Sequence, residues 1–488
     1  MDYVLICEIS KKQSYVFKSN KLAENIGASS IVKYITEDLS NEYAKRYNGN
    51  PIYEGGGKSL YLFTDKNIAN KFTADLSRKV IEEYPGVELF ITGAEFDKKI
   101  HDIAQVIDKA YKNLAVKKSE RKTNSRILSF GINKRCASTN MPAIEYIDKN
   151  QKKGLISSET RVKLKYRECF KDLEVNGFLF PKASDDLGGN LSKKNYTAVV
   201  HIDGNKMGQR MDNFKNQNKL NSDENVEIYN EQYIIKLKRF SKSIKDAYLN
   251  SFKIMCEKVI NDISNLKEVL NLKENIIPIR PLIISGDDVC FVCDGRIGID
   301  CSKIFIEALQ KQPFEGESLK ACAGIAIVKS HYPFSKAYEL AEQLCSNAKS
   351  TIGSKDASLI DWHIEQGDIS GSISEIREKH YKCYDGNTLN MRPIFIQSED
   401  SWMNYKNFVQ AMESVTNKDI ARSKVKELRE KLKEGKGPVK VFVESNKLGN
   451  IIDKLKDTNG EFGFSTDGVC MFYDAIEAID LYIQIKEA

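Results

Sequence analysis

The sequence predicts an α+β protein in which one structural unit occurs twice. Three observations carry that reading: a length of 488 residues, the return of one order of elements, and acidic residues at matching strand ends. A chain of this length exceeds one ordinary core, and three or four units are expected. Hydrophobic content of 41% and charged content of 29% describe a soluble globular protein.

The first unit is expected over residues 1–118. A strand (Tyr3 to Ile9) leads into helical sequence from Leu22 to Tyr47, then a hairpin over Pro51–Phe63 that turns through Gly55, Gly56 and Gly57. A helix, a strand (Val87 to Gly93) and a charged helix (Phe96 to Val116) complete it. A connector over 119–195 follows, opening on a basic run and a strand-like stretch, Ile127 to Ile132. The same order then returns over 196–365: a strand ending at Asp203, a helix from Lys206, a helical insertion over about 223–275, a hairpin, a helix, a strand (Leu319 to Lys329) and a helix (Phe334 to Thr351). Such internal repetition suggests a pseudo-dimer. Residues 366–488 read as mainly helical and highly charged. An amphipathic helix over Asp419–Glu434 stops at Gly435, and a last helix runs from Asp474 to Lys486. Their charges are most simply a water-facing surface, with a partner or RNA as the alternative.

The hairpin of the second unit concentrates the chemistry. Apolar strands flank Ser285-Gly286-Asp287-Asp288, and adjacent acids in a turn are costly unless a cation neutralises them. Such a pair alone is usually only a turn. The separate strand-terminal Asp203-Gly204 argues for a site, because magnesium favours a few carboxylates together with substrate phosphates. Two-metal nucleotidyl transfer uses bridging acids of this kind. Gly204 and Gly286 permit close backbone approach to a triphosphate. The helix begun by Asn205, Lys206, Met207 and Gly208 would aim its amides at phosphates, and Lys349 is a candidate counter-charge.

Other classes are excluded or disfavoured. No apolar run approaches the ~20 residues that span a bilayer, so no membrane partner is expected. The start, Met1–Glu8, lacks a basic leader and reads as a strand, so a cytoplasmic protein is expected. Eleven scattered cysteines suit a reducing compartment. Cys290 and Cys293 have the gap of a zinc pair, but a strand sends them to opposite faces. The five histidines form no hydrolase motif. A net charge of +6 permits contact with phosphates or RNA without demanding it.

Several motifs, in order, resemble the palm-domain polymerase/cyclase family, the large subunit of type III CRISPR effector complexes. They are Gln13–Phe17, Lys21-Leu22 with Gly27–Ser29, Gly55–Gly57, Cys136–Ala143, Ile156–Glu159, Asp203–Gly208, Ser285–Asp288, Ala323–Phe334 and Ala341–Lys349. The resemblance covers roughly residues 1–365. It implies two ferredoxin-like palm domains facing each other, with a connector and a C-terminal helical domain. It also implies synthesis of cyclic oligoadenylates from ATP in antiviral defence. Asp203, Asp287 and Asp288 would then hold Mg²⁺ or Mn²⁺, and Lys349 would contact the triphosphate. Ser285-Gly286 takes the family's Gly-Gly place, and other effector subunits and guide or target RNA are the implied partners.

Departures accompany the resemblance. Ser10 aligns with Asp203, and Gly56-Gly57-Lys58 replaces the acidic tip, so the first palm is expected to be non-catalytic while still holding a nucleotide edge. The family's larger members carry an HD nuclease domain. Here His101-Asp102 lies on a predicted helix with no second histidine nearby, so no such nuclease is expected. Connector cysteines reduced to Cys136 and Cys169 put zinc there in doubt. The short C-terminal segment leaves docking into a guide-RNA complex open, a free-standing cyclase being the alternative. The competing readings are a non-catalytic palm scaffold and a cyclase making another cyclic (di)nucleotide.

Overall fold

The computed structural model describes residues 1–120, 131–149, 152–166, 173, 175–188, 195–330, 332–353, 355–365, 367, 371–397, 401–449 and 460–486. Cys169 and most of the strand expected at Ile127–Ile132 lie outside them. Among the described residues no helix is long and apolar enough to cross a membrane.

The first palm is built from β1 (Asp2–Ser10), β2 (Asn50–Gly55), β3 (Lys58–Phe63) and β4 (Glu88–Phe96), in sheet order β2-β3-β1-β4. Every pairing is antiparallel. With helices after β1 and β3 this is the ferredoxin-like arrangement. The helix expected from Phe96 starts only at Ile103, because β4 continues to Phe96 and Asp102 caps the helix by accepting from the Ala104 amide at 2.8 Å. Asp102 is therefore a cap beside His101 rather than a residue within a helix.

A two-stranded connector hairpin, β5 (Glu145–Lys149) and β6 (Lys152–Ile156), precedes the second palm. That palm comprises β7 (Tyr196–Gly204), β8 (Ile279–Ser285), β9 (Asp288–Asp294) and β10 (Ala321–Lys329), in the same relative order as the first. β11 (Leu359–Ile364) adds in parallel to β10, and β12 (Ile394–Phe395) adds to β11. The second sheet thus draws its last strand from beyond residue 366.

Alternation along the strands divides the core in two. Val4 and Ile6 of β1 join Val200, Ile202, Phe291 and Cys293 in one cluster, whereas Leu5, Cys7 and Ile9 join Val199, Cys290 and Val292 in the other. Cys290 and Cys293 accordingly sit in different cores, as a two-residue period requires. Both clusters take residues from both palms. The Phe17 ring stacks on Tyr338 at 4.0 Å between centroids, and the Ser29 hydroxyl donates to the Leu282 carbonyl. The helical insertion forms helices Val226–Asn261 and Ile263–Leu270. Phe240, Ile244, Tyr248, Phe252, Met255 and Val259 recur at helical spacing on its buried face, and the longer helix touches both β2 and β8.

The charged helix expected at Asp419–Glu434 forms over Arg422–Glu434 and ends at Gly435, whose φ of 108° no other residue adopts cheaply. The helix expected over Asp474–Lys486 is shorter, Tyr473–Ala478. The tail beyond it is drawn straight by other partners: the Ile483 amide donates to the Arg296 carbonyl at 2.7 Å and the Ile485 amide to Asp300 at 2.8 Å.

Helix Phe334–Ile352 lies against β10 at Gly324, where an added Cβ would fall 2.0 Å from the Ala341 carbonyl oxygen and 2.4 Å from the Cys345 nitrogen. Gly324→Ala is therefore expected to destabilise the protein by ~1–3 kcal/mol through overpacking, read as a lower midpoint in urea denaturation.

Candidate active site between the palms

The antiparallel ladder of β7 and β9 pairs Asp203 with Asp288, the last acid of one strand opposite the first of the next. Asp287 occupies the turn with Gly286, whose φ is 66°. The Asp287 carbonyl accepts from the Gly204 amide at 3.2 Å, so the turn folds over the end of β7. A Cβ at Gly204 would lie 2.5 Å from the Tyr248 hydroxyl and 2.9 Å from the Asp287 Cβ, and only glycine fits there. Burial, with the nearby charge of Asp203 second, raises the Asp287 carboxyl above the usual range.

Two lysines answer the acids. Lys349 Nζ lies 2.7 Å from Asp203 Oδ2 and donates to the Gly204 carbonyl at 2.8 Å. Lys12, from the first palm, reaches across to Asp288 Oδ2 at 2.9 Å and touches the Gly56 carbonyl at 3.4 Å. His201 Nδ1 stands 3.6 Å from the other oxygen of Asp288. Asp203 remains 38% exposed while Asp288 is 16% exposed, so Asp203 is the more open to an incoming ligand. Tyr248 is fully buried, close under Gly204, with a hydroxyl that has no hydrogen-bond partner among the described residues.

A cavity of about 300 Å³ opens beside these groups, between the hairpins of the two palms. Gly55 and Lys58 line it from the first palm, Met207, Gly286 and Asp287 from the second, with the rings of Tyr53, Tyr111 and Phe240 as apolar walls. Of the residues singled out in the sequence, Asp203, Gly204, Met207, Ser285, Gly286, Asp287, Asp288, Lys349, Gly55, Gly56 and Lys58 thus come together. Gly57 lends its carbonyl to the Ile9 amide at 3.0 Å. Others turn elsewhere. Asn205 is buried and its side chain donates to the Ala357 carbonyl at 2.8 Å, while Lys206 lies 3.7 Å from Asp356. Gly208 stands in open space one residue into helix Met207–Gln217.

The hairpins correct one alignment. Gly55 pairs with Lys58 as Ser285 pairs with Asp288, and Glu8 faces Lys58 as Asp203 faces Asp288. Counted from the hairpin, Glu8 rather than Ser10 is the counterpart of Asp203, because β1 runs two residues past this point and β7 only one. The Glu8 carboxylate is held by Lys118 at 2.8 Å, with Lys58 at 3.9 Å. A basic residue replaces Asp288, and the first palm has no second acid in its turn.

Hard carboxylate oxygens suit magnesium or manganese, and the two ammonium groups show that the acids sit where positive charge is favoured. Among the described residues, however, no three acidic, imidazole or thiol groups converge on one metal point. A cation would be held by these acids only together with phosphate oxygens. In the connector, burial raises the Cys136 thiol, but hydrogen bonds from Thr139, Thr160 and the backbone bring it down to about 6. Its described surroundings supply hydroxyls rather than further zinc ligands.

Sequence reasoning missed Lys12, His201, Tyr248 and the aromatic walls. Lys12 stands just before the Gln13–Phe17 motif, and its reach into the other palm is a tertiary fact. His201 was detectable, two residues before Asp203 and so on the same strand face.

Residues 196–358 match the family model described as the Cas10/Cmr2 second palm domain. None of the curated proteins matches the chain in sequence. Among solved structures, a Csm1–Csm4 cassette in complex with cA4 superposes with a TM-score of 0.54 at 11% identity, covering 98% of this chain and 69% of that one. A Csm1–Csm4 cassette with cA3 gives 0.52 at 12% identity over the same shares, 98% and 69%. Csm1 of T. onnurineus gives 0.50 at 12%, again over 98% and 69%. At such identity the likeness to these structures establishes the fold, which comprises two palm domains and a helical C-terminal region. Residues 196–358 thus resemble the Cas10/Cmr2 second palm domain, in a chain whose fold is similar to that of Csm1.

Proposed function

We propose that the chain is a metal-dependent nucleotidyltransferase that joins ATP into cyclic oligoadenylate in type III CRISPR or related antiviral defence. The observation that carries this reading is the meeting of Asp203, Asp287 and Asp288 with Lys349 and Lys12 at the mouth of a cavity between two palms. Solved structures of similar fold are complexes with cA4 and with AMPPNP. Asp203, Asp287 and Asp288 would hold Mg²⁺ or Mn²⁺, which supplies Lewis-acid activation of a ribose hydroxyl and neutralisation of pyrophosphate. A bond would form between that hydroxyl oxygen and the α-phosphorus of a second ATP as the bond to the pyrophosphate bridging oxygen breaks, pyrophosphate leaving and the hydroxyl proton passing to water. Lys349 and Lys12 exchange carboxylate for phosphate as the nucleotide enters. Tyr53 and Tyr111 enclose a base, and the facing palms convert a bimolecular encounter into an oriented one.

A second reading has its own support. Lys349 pairs with Asp203, and Lys12 pairs with one oxygen of Asp288, contacts that a scaffold palm would also use to hold its two halves together. Partners would be other effector subunits, such as the Csm4 seen beside Csm1 in the similar structures, and guide or target RNA. Incubation with ATP and Mg²⁺ or Mn²⁺ followed by mass spectrometry decides. Cyclic product supports the enzyme, and none even with partner subunits and target RNA supports the scaffold. GTP in a parallel reaction distinguishes a cyclase of another base.

Asp203→Asn and Asp288→Asn should each lower product formation beyond the ~10–100-fold that loss of an outer partner of a metal site costs, measured as pyrophosphate release. Lys12→Ala should reduce the same rate by about tenfold and lower the melting temperature, since it leaves the largely buried Asp288 carboxylate without its lysine.

Asp287→Asn should abolish synthesis and yet raise the melting temperature at pH 7. The raised Asp287 carboxyl makes its ionised form unfavourable in the folded state. That cost is absent below the unfolded value and appears as the pH rises through the folded one. Differential scanning calorimetry from pH 4 to 8 should therefore show the advantage of the variant shrinking toward acid. A variant less stable at pH 7 contradicts the assignment of a crowded carboxylate.

A further inference from the structure

The reaction as proposed gives His201 no task, yet its place in the sheet is specific. β7 pairs His201 with Cys290 of β9 on one side and with Gly324 of β10 on the other. Asp203 follows two residues later, on the same face. Asp288 lies on the diagonal, two residues before Cys290, and such neighbours stand about 7–8 Å apart, within reach of a ring. His201 Nδ1 accordingly comes to 3.6 Å from Asp288 Oδ1, within about half an ångström of bonding range. Both atoms are buried, and among the described residues neither has a hydrogen-bond partner. A buried acceptor left unpaired is costly, and here the ring nitrogen is the group that faces it.

We infer that His201 is a positioning residue for Asp288: its neutral imidazole donates Nδ1–H to Oδ1 and so holds Oδ2 toward the cation. The two oxygens of Asp288 have separate partners. Oδ2 pairs with Lys12 at 2.9 Å, a contact that gives way when the lysine turns to phosphate. The contact of Oδ1 with His201 has no need to break, and a ligating carboxylate is aimed by what binds its other oxygen. The two palms support the same role. Counted from the hairpins, Glu8 matches Asp203 and Ile6 therefore matches His201, with Leu60 opposite as Cys290 is. Both side chains are buried. Packing alone is met by isoleucine in the palm whose tip lacks the acid, whereas the palm that keeps Asp288 has a hydrogen-bond donor there. The ring is also confined. Gly324, opposite it, lets helix Phe334–Ile352 lie close on the sheet, and Tyr338 of that helix meets the imidazole edge-on at 5.5 Å between centroids. The same helix carries Lys349 to Asp203, so one element closes over both acids.

This role rests on the metal-binding reading of the acids, and the test separates the two. Mn²⁺ is titrated into the full chain with a non-hydrolysable ATP analogue and counted by electron paramagnetic resonance. His201→Leu removes the donor. His201→Phe removes it while keeping a ring against Tyr338, so a folding defect in one variant leaves the other. His201→Asn restores an amide N–H near the place of Nδ1. Leu and Phe should each weaken Mn²⁺ by ~10–100-fold, and Asn by no more than about threefold. In synthesis, the Mg²⁺ needed for half-maximal pyrophosphate release should rise by the same factor in the Leu and Phe variants, with the KM for ATP within about twofold of the original. A merely structural residue would not move the metal requirement alone. Equal Mn²⁺ binding by the original and the Leu and Phe variants overturns the positioning role and leaves the metal-binding reading standing. So does a loss that Asn shares in full, since the donor then makes no difference. An original protein that takes up no Mn²⁺ beside the nucleotide overturns the metal-binding reading, and the positioning role with it.

Discussion

The backbone pairing of β7 with β9 sets Asp203 directly opposite Asp288, and the site rests on that register. Strand side chains alternate, so a slip of one residue would turn Asp203 to the other face and exchange the two cores. The register is fixed by what lies behind it. Val200 and Ile202 of β7, with Phe291 and Cys293 of β9, fill one cluster, while Val199, Cys290 and Val292 fill the other. A sheet buried on both faces has no tolerance for sliding. Hydrophobic packing, which has nothing to do with chemistry, therefore places the acids.

Holding like charges together has a cost, and the fold answers it from two directions. Lys349 comes from the helix that covers β10, and Lys12 comes from the opposite palm. The second contact ties the geometry of the site to the interface between the repeats. That interface is itself a shared core with Phe17 against Tyr338. Asp287, with burial around it and the charge of Asp203 beside it, remains the unfavourable member.

The two palms show how one topology can carry different chemistry. Their strand orders agree, and their hairpins pair in the same way. In the first palm Lys58 stands where Asp288 stands in the second, and Glu8 is neutralised by Lys118. Glycines and aromatic rings remain to shape a wall. The helical insertion spans the two units, closes the cavity from one side and extends its basic face beyond it.

The sequence by itself determined the duplicated order of strands and helices, because apolar period and turn residues are local signals. It also determined the acidic tip and the strand end at Asp203, because no core or turn requires those residues in that company. It misplaced what depends on competition between distant partners. The last helix stops at Ala478 because Arg296 and Asp300 capture the tail. Ser10 yielded to Glu8 because the ladder pairing counted from the hairpin, not the strand end, sets the register. Only the tertiary structure decided that Lys12 crosses to Asp288, that Tyr248 lies beneath Gly204, and that Asn205 faces inward. A side chain several ångströms long can reach many neighbours, and only the packing of elements far apart in the chain selects which one it meets.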